Sequence, residues 1–405
     1  MGKVHAKEMF GRFRGRFWLP PRPHGEIIED RTVSFLELFY DLVFVVLIAR
    51  AAHTLAHHVS WSGAIEFAVV FGLIWTAWLN GTLHHELHGR EDGRSRSFIF
   101  LQMLLLALLA VFTADATGDG GTGFAIVYTL LFVVIAWLWY AVRRQDSEEY
   151  MQVTGRYLAG MIVSIVVMTG TIFISPEARV VVWGVFVAGW VIGSLLQARI
   201  EGASGVAPTE SMVERFGLFT IIVLGEVVVG VVNGLSEVER TTESVATGLI
   251  GLVLGFGFWW TYFDYVGRRM PKNNRRSTIH WMLGHFPVAA AIASAGAAML
   301  SLVEHADEAR AEAATAWLLA GSVALLLLSL IPLIRALEDY QRLQSLYQPL
   351  SIALTVGAGV ALLVGWWRPA PWVLVLALAA VHSVIWFFAF DRWLRLDLSE
   401  TAAAG

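Results

Sequence analysis

The sequence has no cysteine among its 405 residues, which excludes disulfides, thiolate chemistry and cysteine-ligated metals. It is also short of charge. Asp, Glu, Lys and Arg make up 15% of the chain, against about a quarter in an ordinary soluble domain. It contains no P-loop, no G-x-S-x-G elbow and no dinucleotide fingerprint. The Gly-rich run Thr117–Gly123 lies between two apolar segments and reads as a connection, not a phosphate cradle. Residues 1–30 hold no long apolar stretch, so no cleavable signal peptide is expected. Neither a cofactor nor a nucleic-acid partner is expected.

What is present is apolar and clustered. Hydrophobic residues make up 57% of the chain, and the mean hydropathy is +0.62. Blocks such as Phe124–Val142, Tyr157–Pro176, Val180–Gln197, Ser244–Phe263 and Ala313–Ile334 carry no formal charge. Each is long enough to cross about 30 Å of hydrocarbon at ~1.5 Å per residue. A soluble core helix of that length would show a polar face; these do not. The expected fold is therefore an all-α membrane protein of about twelve transmembrane helices. The spans are expected near 33–57, 61–84, 97–114, 123–142, 156–175, 180–198, 212–234, 244–265, 279–303, 313–335, 350–367 and 371–391.

Lys and Arg in the connections set the orientation. The side holding the N-terminus collects 24 of the 29 basic residues and the other side four, with Arg50 inside a span. That asymmetry predicts both termini on the cytoplasmic side of the membrane. Arg12, Arg14 and Arg16 interleave with Phe10, Phe13, Phe17 and Trp18. Such a segment either lies on an anionic leaflet or forms a solvated basic tail.

The two halves echo each other. Thr32, Ser34, Glu37 and Phe39 open the first span as Thr209, Ser211, Glu214 and Phe216 open the seventh, both reading T-x-S-x-x-E-x-F. Trp75-Thr76 and Arg96-Ser97 are matched by Trp260-Thr261 and Arg276-Ser277. These matches predict two parallel six-helix repeats: a basic N-terminal segment at 1–32, repeats at 33–200 and 201–395, and a short tail at 396–405. Ser34 and Ser211 are placed to cap helix starts. Glu37 and Glu214 fall in first turns, where the helix dipole favours them, so they read equally as helix-start devices and as functional acids.

A charge at mid-bilayer costs roughly 2.5–3.5 kcal/mol on insertion scales and needs a reason. Glu37 and Asp41 share one face of the first span. Arg50 is turned about 180° from Asp41 and forms a second stripe with His53 and His57, so this helix is expected to be central in the bundle. Two acids match Arg50 in depth: Glu66 in the second span and Glu226 in the seventh. Arg50 and Glu226 would both lie ~18–20 Å above their helix starts. Asp264 closes the run Trp259–Asp264, and His280 and His285 open the ninth span, with Pro287 able to loosen the backbone. Such a set of Glu, Asp and His suits a proton path; His382, alone in the last span, reads as packing. His84 and His88 share a helix face and are the one weak metal candidate, but they lack the H-E-x-x-H order and are expected at a solvated helix end.

Glu37-Leu-Phe-Tyr-Asp41-Leu-Val-Phe-Val45 resembles the E-L-F-[FY]-D-L-x-F-V signature of the bacterial low temperature requirement A (LtrA) family. Glu214-Arg-Phe to Ile221-Ile222-x-Leu224-Gly225-Glu226 is similar to its E-R-F-x-x-x-x-I-I-x-L-G-E segment, and Trp259–Asp264 and His285-x-Pro287 resemble later motifs. His84-His85 departs from the pattern, where aromatic or amide residues are expected. The resemblance implies an integral membrane protein linked to growth in the cold, and picks out Glu37, Asp41, Glu214, Glu226, Asp264 and His285. It supplies no reaction.

The expected function is a proton- or ion-coupled secondary transporter of a small solute. Glu37 and Asp41 would line a cytoplasmic vestibule, Arg50 and Glu226 would form a central pair, and Asp264 and His285 would complete the path. Two rivals use the same residues. An intramembrane enzyme acting on lipid would employ them as acids and bases, and a structural or sensory protein would pair them in a dry core. The expected partners are the lipid bilayer and the transported solute, ion or proton; a homo-oligomer is compatible with all three readings.

Overall fold

Hydrocarbon offers no partner to a free amide or carbonyl, so a membrane-crossing segment must satisfy its backbone internally. The long apolar blocks accordingly form helices. The structure is a computed structural model that describes residues 15, 17–26, 28, 31–199 and 206–404, the side chains of 397–404 excepted. Phe10, Arg12, Phe13, Arg14 and Arg16 of the basic segment lie outside the described residues.

Twelve long helices and no strand are found among the described residues. They are α1 (Phe35–His57), α2 (Trp61–His88), α3 (Gly93–Thr113), α4 (Gly121–Arg143), α5 (Glu148–Gly170) and α6 (Pro176–Gln197). The second half supplies α7 (Glu210–Glu237), α8 (Thr242–Tyr265), α9 (Arg275–Glu304), α10 (Ala313–Ala336), α11 (Gln344–Trp367) and α12 (Pro371–Ala404). Every expected span is a helix, most of them longer by a few residues at an end. Eleven are long and apolar enough to cross a membrane. The helix outside that group is α1, which carries Glu37, Asp41 and Arg50.

Several helix starts are fixed by side-chain caps, each supplying an acceptor for a free first-turn amide. Asp92 caps α3 through Ser95 N at 3.0 Å, Thr241 caps α8 through Ser244 N at 3.1 Å, and Asn274 caps α9 through Ser277 N at 2.9 Å. At α1, Ser34 Oγ accepts from Glu37 N at 3.3 Å while Glu37 Oε2 accepts from Ser34 N at 3.0 Å. This is a reciprocal capping box. The cap of α7 is not Ser211, as the sequence echo suggested, but Thr209, which accepts from Met212 N at 3.1 Å. The two helix starts therefore differ by two residues in register, and Glu214 lies beyond the box position.

The chain divides into two compact units, Met1–Arg50 with Val69–Ala207, and Ala51–Ala68 with Pro208–Gly405. In the first, α4 packs against α3 and α5, burying Phe124, Tyr128, Leu131, Phe132, Ile135 and Trp139. The Tyr128 hydroxyl donates to the Leu73 carbonyl at 3.0 Å. Arg179 is buried where α5 ends. Its guanidinium donates to the carbonyls of Thr171 (3.1 Å) and Ile174 (3.3 Å) and to Thr122 Oγ1 (2.9 Å), a cation where a helix C-terminus favours one.

In the second unit α9 is the core. It packs on α7, α8 and α10; α11 lies against α10 and α12, and α12 against α8. It is rich in Ala, Gly and Ser, small residues that let helix backbones approach in a membrane, where packing rather than water release drives association. The approach is tightest at Gly230 and Gly296. A Cβ on Gly230 would lie 2.1 Å from the Gly296 carbonyl oxygen, and one on Gly296 would lie 2.6 Å from the Glu226 carbonyl oxygen. Backbone stands on both sides, so neither clash can be relieved by a side-chain rotation. Gly296→Val should therefore lower stability by about 1–3 kcal/mol through overpacking, read as a fall in the thermal unfolding midpoint of the purified protein. Gly359→Ala, where a Cβ meets open space, should leave the midpoint unchanged; equal effects would contradict this packing.

Candidate functional site

In the first unit the acids predicted from sequence are brought together at the start of α1. Glu37 and Asp41 are both buried on one face. Arg31, counted in the sequence as a connection charge, reaches Glu37 Oε1 at 2.5 Å and also pairs with Glu86 of α2. One guanidinium thus bridges two carboxylates, the fork geometry that suits Arg rather than Lys. Glu37 is at once a helix-start device and a member of this ion cluster. One turn on, Asp41 accepts from the Trp78 indole N–H at 2.9 Å. Beside it the Tyr40 hydroxyl donates to Gln102 Oε1 at 3.2 Å, and the Gln102 amide donates to His85 Nε2 at 3.4 Å. The result is a continuous polar strip on α1, α2 and α3 inside an apolar bundle.

The remainder of α1 departs from expectation. Phe35, Phe39, Leu42 and Val46 form an exposed apolar stripe, so this helix is not surrounded on all sides as its two polar faces suggested. Arg50 is exposed and belongs to the first unit. His53 and His57, in the second unit, are exposed with their Nε2 atoms 3.1 Å apart. Glu66, also in the second unit, is half-buried.

The other predicted residues all fall in the second unit, and they are not one cluster. Glu214 is exposed. Asp264 is exposed and accepts from the Trp386 indole at 2.9 Å. His285 is buried among Phe216, Trp281 and Tyr262. Its Nδ1–H donates to the Trp281 carbonyl at 2.7 Å and its Nε2 accepts from the Tyr262 hydroxyl at 2.9 Å. Both ring nitrogens are satisfied, as in a packing histidine. Glu226 differs. It is 4% exposed, its backbone forms the tight crossing with Gly296, and no hydrogen bond or ion pair to its carboxylate is found among the described residues. A cavity of about 250 Å³ in this unit is lined by Trp61, Phe67, Trp317 and the hydroxyls of Ser294 and Ser322. None of the predicted charged residues lines it.

His84 and His88 are not at a solvated helix end. With His85 they are buried, at 4%, 1% and 3% exposure. Packed around Trp139, with His24 of the N-terminal segment against His88, they form a histidine cluster. No group of three or more His, Asp or Glu is disposed to hold a metal ion among the described residues.

Most of the chain matches a known family. The model of the bacterial low temperature requirement A protein matches residues 32–381, a stretch containing Glu37, Asp41, Glu214, Glu226, Asp264 and His285. The chain belongs to the low temperature requirement A family. It is also 27% identical over 288 residues to an uncharacterized protein of Rhizobium meliloti, covering 66% of this chain and 68% of that one. With eleven apolar helices of spanning length, this LtrA protein is a multi-pass bacterial membrane protein.

Several site residues were not visible as such in the LtrA sequence. Arg31 counts only among the basic connection charges, and Glu86 stands in sequence within the weak metal candidate His84–His88; only their approach to Glu37 in space makes the cluster. Arg94 and Arg215, also counted as connection charges, are buried in the first turn of α3 and the second turn of α7. Trp78 and Gln102 carry no local signal, since their role depends on partners 37 and 62 residues away. Asp41→Leu should destabilise the protein by about 1–3 kcal/mol, because the buried Trp78 N–H loses its acceptor. Asp41→Asn retains an oxygen and should cost less. Thermal unfolding followed by tryptophan fluorescence checks the order; equal losses would mean that the hydrogen bond does not set the cost.

Proposed function

We propose that this LtrA protein is a proton-coupled secondary transporter in which Glu226 is the proton-carrying group. The observation that carries the reading is a buried carboxyl without counter-charge among the described residues, at the closest helix crossing of the second unit. An intramembrane ionisable group is costly and marks a substrate, ion or proton route. The charge state of an uncompensated carboxyl is coupled to whatever brings a proton or cation to it, whereas a structural acid would be fixed by a partner.

The Arg31 bridge to Glu37 and Glu86 supports a gate at the entrance to the first unit, because parting the two carboxylates requires one charge-assisted contact to break. Asp41 continues that strip inward. We assign α1 as a twelfth span, 23 residues long, which returns both termini to the cytoplasmic side of the inner membrane, in keeping with the basic connections. Asp264 and His285 are left out of the route: the first is exposed and the second has both nitrogens occupied. The transported solute is small; its identity is open to a substrate screen.

The test is proton flux in proteoliposomes under an imposed pH gradient. The wild-type protein should dissipate the gradient, and Glu226→Gln, folded and incorporated to the same level, should reduce the flux at least tenfold. Equal flux from both proteins would remove Glu226 from the route. Flux from neither would favour a non-transporting role.

A further inference from the structure

The N-terminal segment is not a free tail in its described part. Phe17 lies over Gly93, Leu19 N donates to Asp92 Oδ2 at 2.8 Å, and Arg90 Nε donates to the Pro20 carbonyl at 3.0 Å. Arg22 is buried and donates to the carbonyls of Gly89 (2.8 Å) and Glu86 (2.7 Å) at the end of α2. Residues 17–26 are thus strapped across the α2–α3 connection. The strap ends on His24, whose backbone N and Nδ1 bond Asp146 at 2.9 and 3.0 Å in the α4–α5 connection.

The chemistry under the strap is that of neutral imidazoles. His24 Nδ1–H donates to a carboxylate, and His88 Nδ1–H donates to the Arg22 carbonyl at 2.8 Å. In both rings the next proton must therefore go to Nε2. Among the described residues both Nε2 atoms are buried without a hydrogen-bond partner, as are both ring nitrogens of His84. The His24 and His88 ring centroids are 4.4 Å apart, and those of His84 and His88 5.6 Å. Trp139 and Tyr150 pack against the set, Tyr150 stacked on His24 at 5.3 Å. A proton arriving on any of these rings places a charge in an apolar pocket with no acceptor for the new N–H, beside other imidazoles. Undocking the strap returns the rings to water.

We propose that residues 17–26 form an acid-released strap whose proton sensor is the His24–His84–His88 cluster. The charged and titratable groups around it are Asp146 and Tyr150 from α5 and the connection before it, and His85 and Glu86 from α2. Arg90, Asp92 and Arg94 follow α2, and Arg22, Glu26 and Arg31 lie in the N-terminal segment. Among the described residues Asp146 is the one anion bonded to an imidazole of the set, and it occupies Nδ1 of His24, leaving the Nε2 side uncompensated.

Burial lowers the His24 pKa below its ordinary value of 6.5, and the Asp146 charge offsets this only in part. A released His24 therefore binds a proton more readily than a docked one. Docking is at full strength above pH ~6.5 and is lost as the pH falls below it. Burial raises the Asp146 carboxyl, but the Thr154 hydroxyl and the His24 amide and imidazole together hold it below its ordinary value of 3.8. Its contribution acts in the same direction and is lost only at lower pH, so the window between pH 7 and 5 belongs to the imidazoles.

The chain has no native cysteine, so Pro20→Cys with Gln145→Cys, both at exposed positions, can carry a pair of nitroxide labels in the full-length reconstituted protein. Pulsed electron paramagnetic resonance should give one narrow distance at pH 8 and a broad, longer distribution at pH 5.5. The docked-to-released ratio should fall by up to about tenfold per pH unit for each proton taken up. His24→Gln, which keeps an N–H for Asp146 and cannot charge, should stay narrow at both pH values. His84→Gln, which makes no hydrogen bond to the strap, should shift the midpoint to lower pH. A narrow distance at pH 5.5 or a broad one at pH 8 in the wild type overturns the proposal, as does release of His24→Gln at the wild-type midpoint. If His24→Gln fails to dock at either pH, His84→Gln decides: an unshifted midpoint overturns the proposal.

Discussion

A polar group moved from water into hydrocarbon must find its partner inside the chain, and the placement of charge in this protein follows from that requirement. Arg31 is shared between Glu37 and Glu86, Asp41 takes the Trp78 N–H, and Arg179 saturates itself on carbonyls where α5 ends. Each is an answer to the same desolvation cost, and each fixes one helix against another. His285, with a hydroxyl on one nitrogen and a carbonyl on the other, is the most complete case. Against that background, groups left without partners carry information. Glu226 and the imidazoles beneath the N-terminal strap are the two such sets on which a functional argument can stand.

Small residues provide the second half of the account. Ala, Gly and Ser along α9 let α7 approach until backbone meets backbone at Gly230 and Gly296. That crossing buries Glu226 where its own backbone lies against α9. Stability and site are therefore linked through the same glycines.

The helices were legible because hydropathy and length in a bilayer leave little choice of secondary structure, and all twelve expected segments are helices. The family was legible from two strings, around Glu37–Val45 and Glu214–Glu226, because contiguous motifs survive in one dimension. The site was only partly so. Glu37 with Asp41, four residues apart, could be placed on one face from spacing alone. The roles of Arg31, Glu86, Trp78 and Gln102 could not, since they depend on which helices become neighbours. The echo between the two helix starts misled locally: both hydroxyls can serve, and Thr209 rather than Ser211 caps α7. His84 and His88 were misplaced as solvated because the strap that covers them, Phe17 to Glu26, is short and broken by three prolines, with no helical periodicity to announce its docking.

The central claim is that Glu226 takes up and releases a proton. Infrared difference spectroscopy of the reconstituted protein between high and low pH tests it without any knowledge of the transported solute. The account predicts a carboxylic-acid C=O band that appears reversibly on acidification and is missing from Glu226→Gln. An unchanged band in that variant, or none assignable to Glu226 in the wild type, would contradict it.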